Sequence, residues 1–296
     1  MKLLRAVMKD INKGIVFFLI FIYIAALICY LPDGGYYGTA GAVIEGAHIR
    51  ACKKVINILQ LDFGKDRSLG DIKLFIMSKF KYSVGLLSAG VFLGIILGIA
   101  KGIFDSSKKS EKKPWIKVLL TLIPMSFPEA LVITVLQIAA IWLINRGITV
   151  FKVAGTGALN HVLLPSIALS ILPACYIARV TTMSIESFYK QDFIMMAAAK
   201  GCSNIRILYN HVMRNSMYII AESFKEIIPL IVSNLVIVEY LFNYRGLATQ
   251  LMQALQKSNE NIMIASIIAI GIIYALLNIL LYIMKAAAGM KRGELA

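Results

Sequence analysis

Asp192-Phe193-Ile194-Met195-Met196-Ala197-Ala198-Ala199-Lys200-Gly201-Cys202-Ser203-Asn204-Ile205-Arg206-Ile207-Leu208-Tyr209-Asn210-His211-Val212-Met213-Arg214-Asn215 is the stretch on which the architecture of this chain turns. Ile185, Phe188, Tyr189, Phe193, Met196 and Ala197 recur at helical spacing and predict one amphipathic helix; Ile205, Leu208, Tyr209, Val212 and Ser216 predict a second. Gly201 suits the left-handed turn that ends the first, and Ser203 can cap the second. Such half-polar helices must bury their apolar faces on the bilayer surface, on the ends of neighbouring spans, or on a partner.

On either side of this stretch the sequence is overwhelmingly apolar. Of 296 residues 59% are hydrophobic and 16% charged, and the mean hydropathy is +0.76. A soluble domain is nearer half apolar and a quarter charged, so lipid is the expected solvent, and disorder or a disulfide-stapled secreted domain is excluded. The net charge of +15 reads as basic loops facing anionic headgroups, not as a nucleic-acid surface. Cys29, Cys52, Cys175 and Cys202 form no CxxC and sit at no metal-ligand spacing with His48, His161 or His211, so no metal site is expected.

Six runs approach the roughly 20 apolar residues that a span requires: 14–31, 83–104, 118–144, 162–183, 223–243 and 262–284. Pro124 and Pro128 predict a kink or tilt in the third, and Glu222, Lys225 and Glu226 crowd the start of the fifth, where they can pair with one another. The first run is too long for a signal peptide and reads as a retained anchor. With the N-terminus inside, inner segments carry 18 Lys and Arg against 12 outside, and Lys108-Lys109-Ser110-Glu111-Lys112-Lys113 lies on an inner loop. Both termini are therefore expected in the cytoplasm. The layout becomes an N-terminal cytoplasmic segment and first span (1–31), an extracytoplasmic amphipathic segment (32–82), a five-helix core (83–284) carrying the inner loop 184–217, and a cytoplasmic tail (285–296). In the outer segment, Ile44, Ala47, Ala51, Val55, Ile58 and Leu59 predict a surface helix over 42–60 that Asp62-Phe63-Gly64 breaks, and Ser68 with Asp71 predicts a capping box for the next helix. This segment either decorates the rim or contacts ligand. Gly85, Gly90, Gly94 and Gly98 form a small-residue ridge suited to close helix packing.

No GxxxxGK[ST], HExxH or nucleophile elbow occurs, so no catalytic residues are assigned and no phosphate cradle for ATP is present. Acids within spans are costly and face a cavity or a partner. Glu129 either lines a path or caps the helix restart after Pro128; Glu239 either lines a path or bonds the Phe242–Gly246 turn.

The opening stretch resembles the EAA loop of binding-protein-dependent ABC importer permeases, most closely the dipeptide/oligopeptide type, the first-permease branch of the peptide/nickel transporters. The matching residues are Asp192, Phe193, Ile194, Ala197, Ala198, Ala199, Lys200, Gly201, Arg206, Leu208, His211, Arg214 and Asn215. Three further blocks resemble the same family in order: Leu61-Asp62-Phe63-Gly64, His161-Val162-Leu163-Leu164-Pro165, and Glu239, Phe242, Gly246 and Leu247. The chain departs from the pattern where the loop lacks its naming Glu, where Ile219 or Ile220 replaces a Pro, where Ala248 replaces a Gly, and before the second span, where Lys81-Tyr82-Ser83 lacks a Pro.

The resemblance implies an all-α integral membrane protein with six transmembrane helices in the type I importer, MetI-like architecture, located in the bacterial cytoplasmic membrane. It implies a permease subunit without enzymatic activity of its own, moving peptides or a similar small solute. Its partners would be two ATPase subunits, which use ATP and Mg, a second related permease, an extracytoplasmic solute-binding protein and the lipid bilayer; this chain would bind no cofactor. The loop residues Asp192, Ala197, Ala198, Ala199, Lys200, Gly201, Arg206, His211, Arg214 and Asn215 would couple to the ATPases, Arg206 and Arg214 pairing with acidic groups there or facing phospholipid. Glu129, Glu239, Phe242 and Gly246 are path or gate candidates. The rival classes are an ATP-independent secondary transporter or channel, with Glu129 and Glu239 as ion-coupling acids, and a membrane anchoring or assembly protein; the first predicts inverted repeats or span-centre charges, and no internal repeat is visible.

Overall fold

The computed structural model describes residues 18–30, 40–60, 62–66, 70–106, 114–148, 150–157 and 159–287. The N-terminal basic segment, the Lys108–Lys113 run, Ser68 and the tail from 288 lie outside the described residues. The chain forms two compact units, Met1–Tyr82 with Gly246–Ile272, and Ser83–Arg245 with Ile273–Ala296.

Helices dominate because the sequence supplies long unbroken apolar runs whose backbone groups must be satisfied within the segment. Helix α1 covers Phe18–Tyr30 and α2 Ala40–Leu59. A two-residue ribbon pairs β1, Lys65–Asp66, antiparallel with β2, Gly70–Asp71. Then follow α3 (Ile72–Asp105), α4 (Pro114–Ser126), α5 (Glu129–Asn145), α6 (Leu159–Tyr189), α7 (Asp192–Ala199), α8 (Asn204–Arg206), a π turn (Ile207–Met213), α9 (Arg214–Leu241), α10 (Leu247–Gln256) and α11 (Glu260–Ala287).

Among the described residues three helices are long and apolar enough to cross a membrane: Ile72–Asp105, Asn160–Tyr189 and Glu260–Ile283. Trp115–Ser126 and Glu129–Asn145 make a fourth if taken as one span, but they meet at 103°. The expected kink at Pro128 is thus a full break: Pro128 is the N-cap residue of α5, with extended backbone. Helix α9 is long enough to cross, yet Lys225, Glu226 and Glu239 fall within its apolar stretch.

In the first unit, Ala47, Ala51 and Ile58 of α2 are buried as the periodicity predicts, whereas Ile44 and Leu59 are exposed. Lys54 shares the buried face because its Nζ is satisfied, donating to Asn261 Oδ1 at 2.6 Å and Phe63 O at 3.0 Å. Burial pushes its pKa down, against the attraction of Asp62 and Glu260. Gly64 adopts φ +87° in the turn that ends this segment. The capping-box expectation is corrected in one respect: α3 starts at Ile72, so Asp71 is itself the cap, its Oδ1 accepting the Lys73 N–H at 2.9 Å.

The second unit is built on the seam of α3 with α6. A Cβ on Gly98 would lie 2.8 Å from Ala174 O, and one on Gly102 2.5 Å from Thr181 Cβ. Gly90 and Gly94 likewise face Leu169 and Pro173. The glycine ridge therefore lets two backbones approach where no side chain fits. The Thr182 hydroxyl contacts the Gly102 carbonyl across the seam at 3.2 Å. Gly85, counted with the ridge in the sequence, meets nothing within 4 Å.

Candidate functional site

The loop 184–217 folds as α7 and a second helical element, packed on the ends of the neighbouring helices. Ile185 of α6, Ile194 and Ala197 of α7, and Ile207, Val212 and Met213 of the π turn form one buried cluster, with Ile99, Ile103 and Phe188 packed against it. Gly201 sits at φ +81° and closes α7, its N–H reaching Ala198 O at 2.9 Å. Ser203 accepts the Arg206 N–H at 3.4 Å and so caps the second element.

Ile185, Ala197, Val212 and Ser216 are buried as the spacing predicts, but the rest of the two faces differs. Phe193, Met196, Ile205 and Tyr209 are exposed, Met196 at 61% and Ile205 at 71%, while Ile194, Ile207 and Met213 are buried instead. Two breaks in phase explain the shift. The helix is interrupted at Lys190–Gln191, which resets the face of α7. The π turn then spaces the buried stripe wider than 3.6 residues, from Ile207 to Val212, so the expected Val212 and Ser216 are buried while Ile205 and Tyr209 fall outside it. Nor is the second element a separate helix, because the π turn runs straight into α9.

Of the remaining loop residues, Asp192 is exposed in the first turn of α7, where its charge suits the helix dipole. Ala198, Ala199, Lys200, Arg206, Arg214 and Asn215 are exposed, His211 is half-buried, and Asn215 Nδ2 donates to His211 O at 2.8 Å. The loop thus exposes the apolar side chains of Phe193, Met195, Met196, Ile205 and Tyr209 and the basic ones of Lys200, Arg206 and Arg214.

The two carboxylates occupy unlike settings. Glu239 is fully buried in α9 and accepts the Ser83 hydroxyl at 2.5 Å, a partner 156 residues away that local spacing cannot reveal. Its backbone carbonyl takes the Tyr244 N–H at 2.8 Å, holding the turn that follows. Phe242 is fully buried, and its carbonyl accepts the Gly155 N–H at 3.3 Å. Gly155, at φ +108°, also lies against the ring of His161, whose Nδ1 donates to Ala154 O at 2.8 Å. The His161 ring thereby pins the 150–157 loop, a role that its place in the sequence does not disclose. Gly246 is the extended N-cap residue of α10. Glu129 opens α5 and is half-buried, and Glu222 pairs with both Lys225 and Lys285, the latter at 2.5 Å. Among the described residues no three His, Cys, Asp or Glu side chains gather as a metal site.

The long apolar helices make this a helical membrane protein. The chain belongs to the binding-protein-dependent transport system inner membrane component family, whose sequence pattern matches residues 90–289. It is 24% identical over 166 residues to a protein of Brucella abortus (strain 2308) named as a peptide transport system permease, covering 56% of this chain and 53% of that one. It is 27% identical over 123 residues to the dipeptide transport system permease protein DppB of Escherichia coli (strain K12), covering 42% and 36%. The chain thus spans about half the length of the Brucella relative and less of the E. coli one. A chain of the inward-facing MetNI methionine ABC transporter superposes with a TM-score of 0.57 at 12% identity, covering 72% of this chain and 95% of that one, so the fold is shared.

Proposed function

We propose that this chain is the permease subunit of an ATP-driven importer and forms half of a translocation path for peptides or a similar small solute. The observation that carries the proposal is the loop helix pair, packed on its own span ends while Phe193, Met195, Met196, Ile205 and Tyr209 face outward. Large apolar side chains exposed on one short loop suit a docking face, and the basic groups of the same loop suit an acidic partner surface. An ATPase subunit is the occupant: the small Ala198 and Ala199 permit close approach, and Gly201 sets the angle at which α7 is presented. The ATPase subunits, two in the assembly, use ATP and Mg; this chain binds neither. ATP binding moves α7 and rocks the spans from inward-open to outward-open.

A second, related permease completes the path against the α5 side, where Leu131, Val135, Ile138 and Trp142 are exposed. An extracytoplasmic binding protein delivers solute to residues 32–82 and 244–261. Six spans with both termini in the cytoplasm of a bacterium follow from the apolar runs and the Lys and Arg bias. The peptide class is taken from the names of the relatives.

The test is purification of the chain from its own membrane in mild detergent, with partners identified by mass, beside Met196→Glu and Gly201→Val. The expected result is two ATPase copies and a second permease with the unaltered chain, and loss of the ATPases alone in both variants. A Cβ at Gly201 meets no neighbour, so that variant acts through its left-handed backbone and not through a clash. Recovery of the chain alone, with solute uptake surviving ATP depletion, sinks the reading.

A further inference from the structure

Glu129 of α5 and Asn234 of α9 line one crevice whose remaining wall is alkyl, from Val132, Ile133, Ala168 and Leu172 among others. It has room for about one water-sized group, roughly 10 Å³. Asn234 is 3% exposed, and its Oδ1 has no hydrogen-bond partner. Glu129 is half-buried and enters no ion pair among the described residues. Two oxygen-bearing side chains therefore border one small apolar space, and no donor among the described residues meets the Asn234 oxygen. A buried acceptor left unmet is costly and calls for an explanation.

The charge of the site fixes what it takes. A helix that restarts inside a broken span turns a positive end toward its ligand, which ordinarily favours an anion. Here the carboxylate of Glu129 already stands in that first turn, so an anion would meet like charge. A hard metal cation takes roughly six oxygen ligands, more than two side chains in an alkyl wall supply. An uncharged hydroxyl would satisfy Asn234 and leave Glu129 uncompensated. A primary ammonium group is the size of a water, carries positive charge and brings three N–H donors. We propose that Glu129 and Asn234 form an ammonium-binding point in the transport path, favouring solutes with a free amine. This rests on the permease reading above and assigns that path its solute chemistry.

The test follows uptake of radiolabelled alanyl-alanine and N-acetyl-alanyl-alanine by cells of the source organism, which supply the whole assembly. These carry the unaltered chain, Glu129→Gln or Asn234→Leu, with cells lacking the chain as the blank. With the unaltered chain, uptake above the blank favours the free amine. In each variant the ratio of the two peptides falls about tenfold, the loss of one charge-assisted contact, and Glu129→Asp restores part of it. The ratio is independent of how much chain reaches the membrane. A ratio unchanged in both variants, or equal loss of both peptides, overturns the proposal and leaves the pair as packing around a trapped water. Loss of the preference when external sodium is replaced by choline also overturns it, in favour of a metal cation. No chain-dependent uptake of either peptide overturns the peptide-permease reading itself and this inference with it.

Discussion

The two sides of the second unit solve the problem of polar atoms in an apolar setting differently. On the α3 side, Ser83 and Glu239 are both fully buried and bond each other at 2.5 Å, and four glycines let α3 and α6 close without a gap. On the α5 side, a helix breaks at Pro128, Glu129 stands half-buried without an ion pair among the described residues, and Asn234 Oδ1 goes unmet. The same residue type, glutamate in an apolar stretch, is a structural tie in one place and an open valence in the other. Sequence alone leaves each between a path and a structural role; the partner decides.

The sharpest way to break this contrast is to force the closed side open. Gly102→Leu puts a side chain where a Cβ would already lie 2.5 Å from Thr181 Cβ and 2.9 Å from the Ala178 carbonyl. Overpacking of this kind costs about 3 kcal/mol when backbone must move, read as a lowered thermal midpoint of the detergent-purified chain. Ser83→Ala is the next largest. It removes the hydroxyl donor to Glu239 and costs about 2 kcal/mol in the same assay. A loss below about 0.5 kcal/mol would mean that Glu239 is held by its other contacts and that the tie across α3 and α9 is incidental. Smaller and opposite in sign is Gly85→Ala. The same helix carries it, but a Cβ there meets nothing within 4 Å. Relief of glycine's backbone entropy should therefore stabilise by about 0.5–1 kcal/mol. Loss of stability instead would show that the ridge extends further along α3 than the close contacts do.

What was legible in the sequence follows the range of the physics that wrote it. Gly201 and Ser203 act within a few residues of themselves, and both do what their chemistry predicts. The ridge from Gly90 to Gly98 was legible because small residues at every fourth position have one common use, and its continuation to Gly102 follows the same period. The loop residues were legible as a pattern but not as a surface. A proline declares a break at residue 128 without declaring 103°, and nothing in Ile207–Met213 announces a π turn, so the buried stripe was displaced from Ile205 and Tyr209 to Ile207 and Met213. Glu239 was noticed for its charge, yet Ser83, which defines its role, lies 156 residues away and carries no signal of its own. Asn234 carries no signal of its own inside an apolar run, because a neutral amide becomes notable only when its oxygen lacks a donor.

The smallest predicted effect on stability is also the one that most sharpens the contrast. Glu129→Gln removes a charge from the first turn of α5, and the lost attraction to the helix dipole costs about 0.3–1 kcal/mol. Against this, a half-buried carboxylate without a cation beside it carries a desolvation cost that the neutral amide avoids. The two terms oppose each other and are of similar size, so the thermal midpoint should stay within the scatter of a surface substitution, about 0.5 kcal/mol. Ser83→Ala in the same preparation should not share that neutrality. If Glu129→Gln proved as destabilising as Ser83→Ala, both glutamates would be structural ties and the α5 side would be closed by contacts beyond the described residues. If it is neutral in stability and alters solute preference, residue 129 is retained for what passes by it, because the fold stands equally well without its charge.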